Sequence, residues 1–176
     1  MSGRITLSVG GTAHEINSPP GRRLSEVLRN ELGLTSVKVG CDAGDCGACT
    51  VLMDGAQVCA CLTPVAQAAD SRIETIDTSE PELFAHLQEA FLDQGAAQCG
   101  ICTPGIMVAD TELLRTTSAP TRREVEDALG GVLCRCTGYA KIIDAVTGAV
   151  ARTTRANGVA VGQPIRRLDG RAKVNG

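Results

Sequence analysis

Nine cysteines stand in this chain, and eight of them fall into two groups that any fold must gather before other constraints matter. The first is Cys41, Cys46 and Cys49, a C-x4-C-x2-C run among Gly40, Gly44 and Gly47, with Cys59 and Cys61 shortly after it. This is the plant-type 2Fe-2S spacing, which a more distant fourth cysteine completes. Cys59 and Cys61 both compete for that place, and strand parity does not choose between them because positions i and i+2 point to the same face. The second group is Cys99-x2-Cys102 with Cys134-x-Cys136, two close pairs separated by enough chain for one or two helices. Thiolates hold iron in such clusters, and flanking glycines let the backbone curl while its N–H groups face sulfur. Gly100, Gly105, Gly131 and Gly138 flank the second group as glycines do the first. Two four-thiolate sites in one small chain imply electrons passing between them.

A chain of 176 residues makes one domain or two small ones, each with a thin core that an inorganic cluster would staple. So many cysteines would indicate disulfides in a secreted protein, but the opening Met-Ser-Gly-Arg-Ile-Thr lacks the charged and apolar regions of a signal peptide. The thiols are therefore read as reduced and the location as cytoplasmic. No stretch approaches the roughly 20 apolar residues of a membrane span. With one Tyr and two Phe there is little to stack on bases, which argues against nucleic-acid binding. Charge is uneven: an acidic body ends in a basic tail, where Arg152, Arg155, Arg166, Arg167, Arg171 and Lys173 face Asp169 alone.

Local pattern divides the chain. Arg4 to Val9 alternates as a strand, Gly10-Gly11 is a turn, and Thr12 to Ile16 returns. Leu24, Val27, Leu28 and Leu32 recur at helical spacing before Gly33. Thr50 to Met53, the Asp54-Gly55 turn and Gln57 to Cys61 form a second hairpin, and Ile73 to Ile76 a closing strand. Beyond residue 78 the pattern is helical. Ser79-x-x-Glu82 and Thr121-x-x-Glu124 are capping boxes, Thr103-Pro104 marks a further N-cap and first helical residue, and a fourth helix runs from about Tyr139 to Val150. The expectation is an α+β chain, with a ferredoxin-like sheet domain over residues 1–78, a four-helix bundle over 79–151 and a tail over 152–176.

Zinc also takes four cysteines and uses C-x2-C knuckles, so a zinc-stabilised interaction module and an independent ferredoxin are the alternatives to an electron relay. The runs VKVGCDAGDCGACTVLMDG, CACLTP, QCGICTPG and LCRCTGY resemble, in that order, the small iron-sulfur subunit of the xanthine dehydrogenase and aldehyde oxidase family of molybdenum hydroxylases. The resemblance spans about residues 4 to 151. It implies an N-terminal beta-grasp 2Fe-2S domain followed by a four-helix-bundle 2Fe-2S domain.

By that resemblance Cys41, Cys46, Cys49 and Cys61 hold the cluster nearer a flavin, leaving Cys59 as the spare. Cys99, Cys102, Cys134 and Cys136 hold the cluster nearer molybdenum, and Gln98 and Cys136 lie close to the pterin of the molybdenum cofactor. The chain is then the iron-sulfur subunit of a multi-subunit oxidoreductase. It relays single electrons from the molybdenum cofactor through two 2Fe-2S clusters to a flavin or other acceptor, and carries no substrate site. Its implied partners are a molybdenum-binding large subunit and an FAD-binding medium subunit or other electron acceptor. Asp45, Ile101 and Val132 depart from the usual residues without removing a ligand. From Gly162 to Gly176 the tail is similar to the opening of the family's large subunit; the plainer alternative is a mobile basic linker. The sequence shows no G-x-G-x-x-G fingerprint and no Ser/His/Asp arrangement, and His14 and His86 read as surface residues.

Overall fold

Ile5, Leu7 and Val9 alternate with Thr6 and Ser8, so one face of strand β1 (Ile5–Val9) is buried and the other only partly covered. The structure, a computed structural model, describes residues 5–78, 80–148 and 166–176. β2 (Thr12–Ile16) returns antiparallel to β1, with Ile5 opposite Ile16 and Val9 opposite Thr12. β3 (Thr50–Met53) and β4 (Ala56–Cys59) form the second hairpin. Asp54 and Gly55 turn it at φ of 52° and 88°, the two positive angles of a type I′ turn. β5 (Arg72–Glu74) then inserts parallel to β1 and antiparallel to β3, giving the order β2-β1-β5-β3-β4. A short helix α1 (Leu24–Glu26) continues as a π-helical turn over Val27–Glu31. It packs Leu24, Val27 and Leu28 with Leu7, Val51 and Ile73 of the sheet. This is the beta-grasp arrangement.

β3 breaks the usual alternation: Thr50, Val51 and Leu52 are all buried. A strand covered on both faces has this pattern. Val51 joins the α1 core, while Leu52 belongs to a second core with Phe84, Leu87, Phe91, Ile106 and Met107. That second core is built by α2 (Pro81–Gln94), α3 (Thr103–Thr116), α4 (Arg122–Ala128) and α5 (Ala140–Gly148). Thr121 opens α4 with a full capping box: the Glu124 amide donates to Thr121 Oγ1, and Thr121 N–H donates to Glu124 Oε2 at 2.7 Å. Gly95, at φ 62°, closes α2 in the left-handed conformation that suits glycine.

Several sequence expectations shift. β4 ends at Cys59 and not at Cys61, because the Leu62 amide turns back to the Cys59 carbonyl. β5 covers Arg72–Glu74 and not Ile73 to Ile76, since Thr75 N–H is taken by Thr78 Oγ1 at 3.0 Å in a local turn. Cys102 is the N-cap of α3, so Thr103 and Pro104 each stand one place further in. The last helix of the bundle starts at Ala140, after Tyr139 in the left-handed region; its expected end at Val150 lies outside the described residues. Arg4 and Ser79 also lie outside them, and α2 begins at Pro81 after Glu80.

Of the tail, residues 152–165 lie outside the described residues, but 166–176 fold back onto α2. Arg166 pairs with Asp93 and Glu89, Arg171 with Glu89, and α6 (Gly170–Val174) buries Val174 to 1% exposure. Partial burial of Glu89 opposes its charge, yet the two arginines outweigh it and hold its carboxyl below the usual range. This stretch is packed structure, not a solvated linker. No helix among the described residues is long and apolar enough to cross a membrane.

Candidate metal centre

The first cysteine loop has no regular structure and curls through left-handed residues, among them Gly44 at φ 81° and Gly47 at φ 65°. Curling turns main-chain N–H groups toward sulfur. Cys41 Sγ accepts from the amides of Ala43 and Cys46, both at 3.4 Å. Those donors bring its thiol down to about 6, because hydrogen bonds to a thiolate favour the charged form. Cys49 is buried, which pushes its thiol up to about 12 although its Sγ accepts the Cys61 amide at 3.4 Å. Cys61 is buried beside it and Cys46 half-buried. Side chains have no room here: a Cβ on Gly40 would lie 2.9 Å from Cys46 Sγ, and one on Gly44 would strike Leu62. The fold thus brings Cys41, Cys46, Cys49 and Cys61 together, and places Cys59, half-buried, among them.

The second group assembles at the start of α3 and in the turn before α5. Cys99 and Cys136 are exposed, with their sulfurs 3.5 Å apart. Cys102 and Cys134 are buried. Burial pushes the Cys102 thiol up to about 12, and neighbouring Cys134 and Cys99 add to it. Burial also raises Cys134, but the Thr137 hydroxyl, 3.0 Å from its sulfur, and nearby amides more than reverse this. Gln98 donates from Nε2 to the Cys136 carbonyl at 3.1 Å, a hydrogen bond that joins the two segments of this group within the chain. Arg135 is exposed.

Two residues that the sequence reading did not single out organise this turn. Tyr139 Oη accepts from Cys134 N–H at 2.7 Å and donates to the Val132 carbonyl at 3.0 Å. Thr137 Oγ1 takes the Tyr139 amide at 3.1 Å. Gly138 and Tyr139 both have positive φ, 64° and 67°, which turns the ring back over the loop. The signal was present: the chain's one tyrosine stands in LCRCTGY.

The two groups meet. Leu133 N–H donates to the Cys46 carbonyl at 2.9 Å, joining the residue before Cys134 directly to the first loop. A Cβ on Gly105 would lie 2.6 Å from the Gly47 carbonyl, and one on Gly47 would strike the Gly131 carbonyl. Among the described residues no three His, Cys, Asp or Glu side chains close on one point as ligands of a single ion. The donor set fits a wider group: soft thiolates in fours, in glycine-lined cradles, with amides directed at sulfur, are the ligands of a 2Fe-2S cluster. Val39, Leu62, Ile101 and Leu133, all large, apolar and exposed, lie within two residues of a cysteine of one group or the other.

Two family descriptions match. Residues 7–73 match a 2Fe-2S iron-sulfur cluster binding domain and residues 72–147 a further 2Fe-2S binding domain. The chain is 44% identical to the nicotine 6-hydroxylase small subunit of Paenarthrobacter nicotinovorans, over 88% of this chain and 93% of that one. It is 43% identical to the xanthine dehydrogenase iron-sulfur-binding subunit of Escherichia coli O157:H7, over 81% and 91%. Its fold superimposes on the aldehyde oxidoreductase of Desulfovibrio gigas with a TM-score of 0.87 at 38% identity, covering 98% of this chain but only 21% of that longer one. Quinoline 2-oxidoreductase from Pseudomonas putida 86 gives a TM-score of 0.78 at 42% identity, over 84% of this chain and 92% of its counterpart.

Proposed function

The chain belongs to the iron-sulfur subunits of molybdenum hydroxylases of the xanthine dehydrogenase and aldehyde oxidoreductase type, and from that premise we propose how its own residues serve electron transfer. Cys41, Cys46, Cys49 and Cys61 hold one 2Fe-2S cluster; Cys99, Cys102, Cys134 and Cys136 hold the other. Each cluster, when bound, accepts and releases one electron. The observation that carries the reading is the Leu133–Cys46 hydrogen bond, which links a residue adjoining one ligand to a ligand of the other set through main chain alone. The amides on Cys41 Sγ and Cys49 Sγ stabilise thiolate charge, and Tyr139 and Thr137 keep Cys134 in place.

The division at residue 78 is supported by the two hydrophobic cores, each beside one cysteine group. Exposed Cys99, Cys136 and Gln98 face outward toward the pterin of a molybdenum-binding large subunit, and the first loop toward an FAD-binding subunit. The apolar side chains at both sites support partner contacts there, as isolated apolar patches beside polar surfaces do in assemblies. The tail is read, by its likeness to the opening of a molybdenum-binding subunit, as a segment of that subunit carried on this chain; the match to the longer aldehyde oxidoreductase over 98% of this chain, against 84% for quinoline 2-oxidoreductase, supports that reading. Cysteines grouped as cluster ligands and not paired in disulfides support a cytoplasmic assembly.

Anaerobic iron and acid-labile sulfide analysis of the native complex, with EPR after dithionite, tests the reading. Four iron and four sulfide per chain with two distinct signals are expected; zinc without sulfide would overturn it.

A further inference from the structure

The first site holds five thiols where a 2Fe-2S cluster takes four. Cys59 is the last residue of β4 and lies opposite Thr50, the residue after Cys49. Its S–H points at the Gly44 carbonyl, 3.8 Å away, inside the loop between Cys41 and Cys46. The Cys61 amide donates to Cys49 Sγ at 3.4 Å. Cys59 and Cys61 therefore both border the first loop, one from the end of a strand beside the residue after Cys49 and one from the turn that follows. Cys59 is half-buried and packs against the sheet core, so its thiol lies at the border between that core and the cysteine loop.

We propose that Cys59 is a reserve ligand, placed to take the fourth iron-binding position of the first site when Cys61 is lost or detached. This rests on the reading that the site carries a 2Fe-2S cluster. In the exchange one iron–sulfur bond to Cys61 breaks and one to Cys59 forms. Cys59 gives up its proton to solvent or to the departing thiolate, four thiolates remain, and no electron is gained or lost. Cys59 already lies against the loop, with its sulfur 3.8 Å from the Gly44 carbonyl.

The test uses the full chain in its complex, with the variants C61A, C59A and C59A/C61A, assayed for iron, labile sulfide and EPR. C61A should keep four iron and four sulfide, with one of the two signals shifted and the other unchanged. The double variant should fall to two iron and two sulfide and lose the shifted signal, while the unchanged signal of the second site reports that the chain has folded. Two iron in C61A would overturn the proposal, and so would loss of two iron from C59A alone, which would make Cys59 the ordinary ligand. C61G, which likewise offers no ligand atom, supplies the same comparison should C61A fail to accumulate. Absence of sulfide from the unaltered chain would instead refute the cluster reading itself, so the two failures are distinct.

Discussion

Gly105 on α3 presses its Cα against the Gly47 carbonyl so closely that a single added methyl group would sit 2.6 Å from that oxygen. One glycine follows a cysteine of the second group, and the other lies between two cysteines of the first. The seam between the two halves thus runs through the cysteine loops, in addition to Leu52 of β3 in the helical core.

Gly105→Ala should wedge that seam. The backbone at Gly47 is held by its neighbours and cannot yield like a flexible side chain, so a loss of about 1–3 kcal/mol is expected. Thermal unfolding of the loaded chain checks it. A variant as stable as the parent would show that the two halves separate without cost.

Glu74 on β5 is 4% exposed at its side chain and receives both terminal nitrogens of Arg115 from α3, at 2.5 and 3.3 Å. Glu74 raises the Arg115 guanidinium further above its already high value, with Glu80 adding to it. Arg115→Met leaves a carboxylate buried without its main partner, which typically costs about 3–5 kcal/mol. Denaturant titration should show that loss, and Glu74→Gln added to Arg115→Met should recover much of it.

Asp110 is fully buried in α3, and neither carboxylate oxygen has a hydrogen-bond partner. Burial raises its pKa well above the ordinary 3.8. A raised acid binds its proton more tightly folded than unfolded, so its contribution is most favourable below 3.8 and declines as pH climbs toward the folded value. Asp110→Asn should flatten that decline and leave the chain about 1–3 kcal/mol more stable at neutral pH. Stability measured from pH 4 to 8 decides; parallel curves for the two proteins would refute it.

Tyr139→Phe removes the hydroxyl that joins Cys134 N–H to the Val132 carbonyl. About 1–2 kcal/mol should be lost with those two bonds. EPR should show the second-site signal altered and the first unchanged; equal changes in both would mean that the ring acts through the whole fold.

What could be read from the sequence was local. The two hairpins and the Thr121 capping box need only neighbours a few residues away, and the cysteine groups declare themselves by spacing. What escaped depends on distant partners. β5 takes its place from β1 and β3, on chain segments far from it in sequence. Tyr139 matters because its ring folds back to Cys134, a contact created by two successive left-handed residues. The tail's basic charge was evident, but its complement on α2 is a pair of carboxylates some 70 residues or more away, Glu89 and Asp93. Gln98 carries an expectation about a partner's cofactor, and the chain alone shows only its bond to Cys136.

Exposure at Cys99 and Cys136 has a bearing on how such a protein is made. Ile101 and Leu133, each next to a buried cysteine of the same group, are exposed as well, and a partner seated on them would cover apolar surface beside these thiols. Were a partner to dock on that face, iron and sulfide would have to be loaded first, and the timing of partner synthesis would become as consequential as its amount.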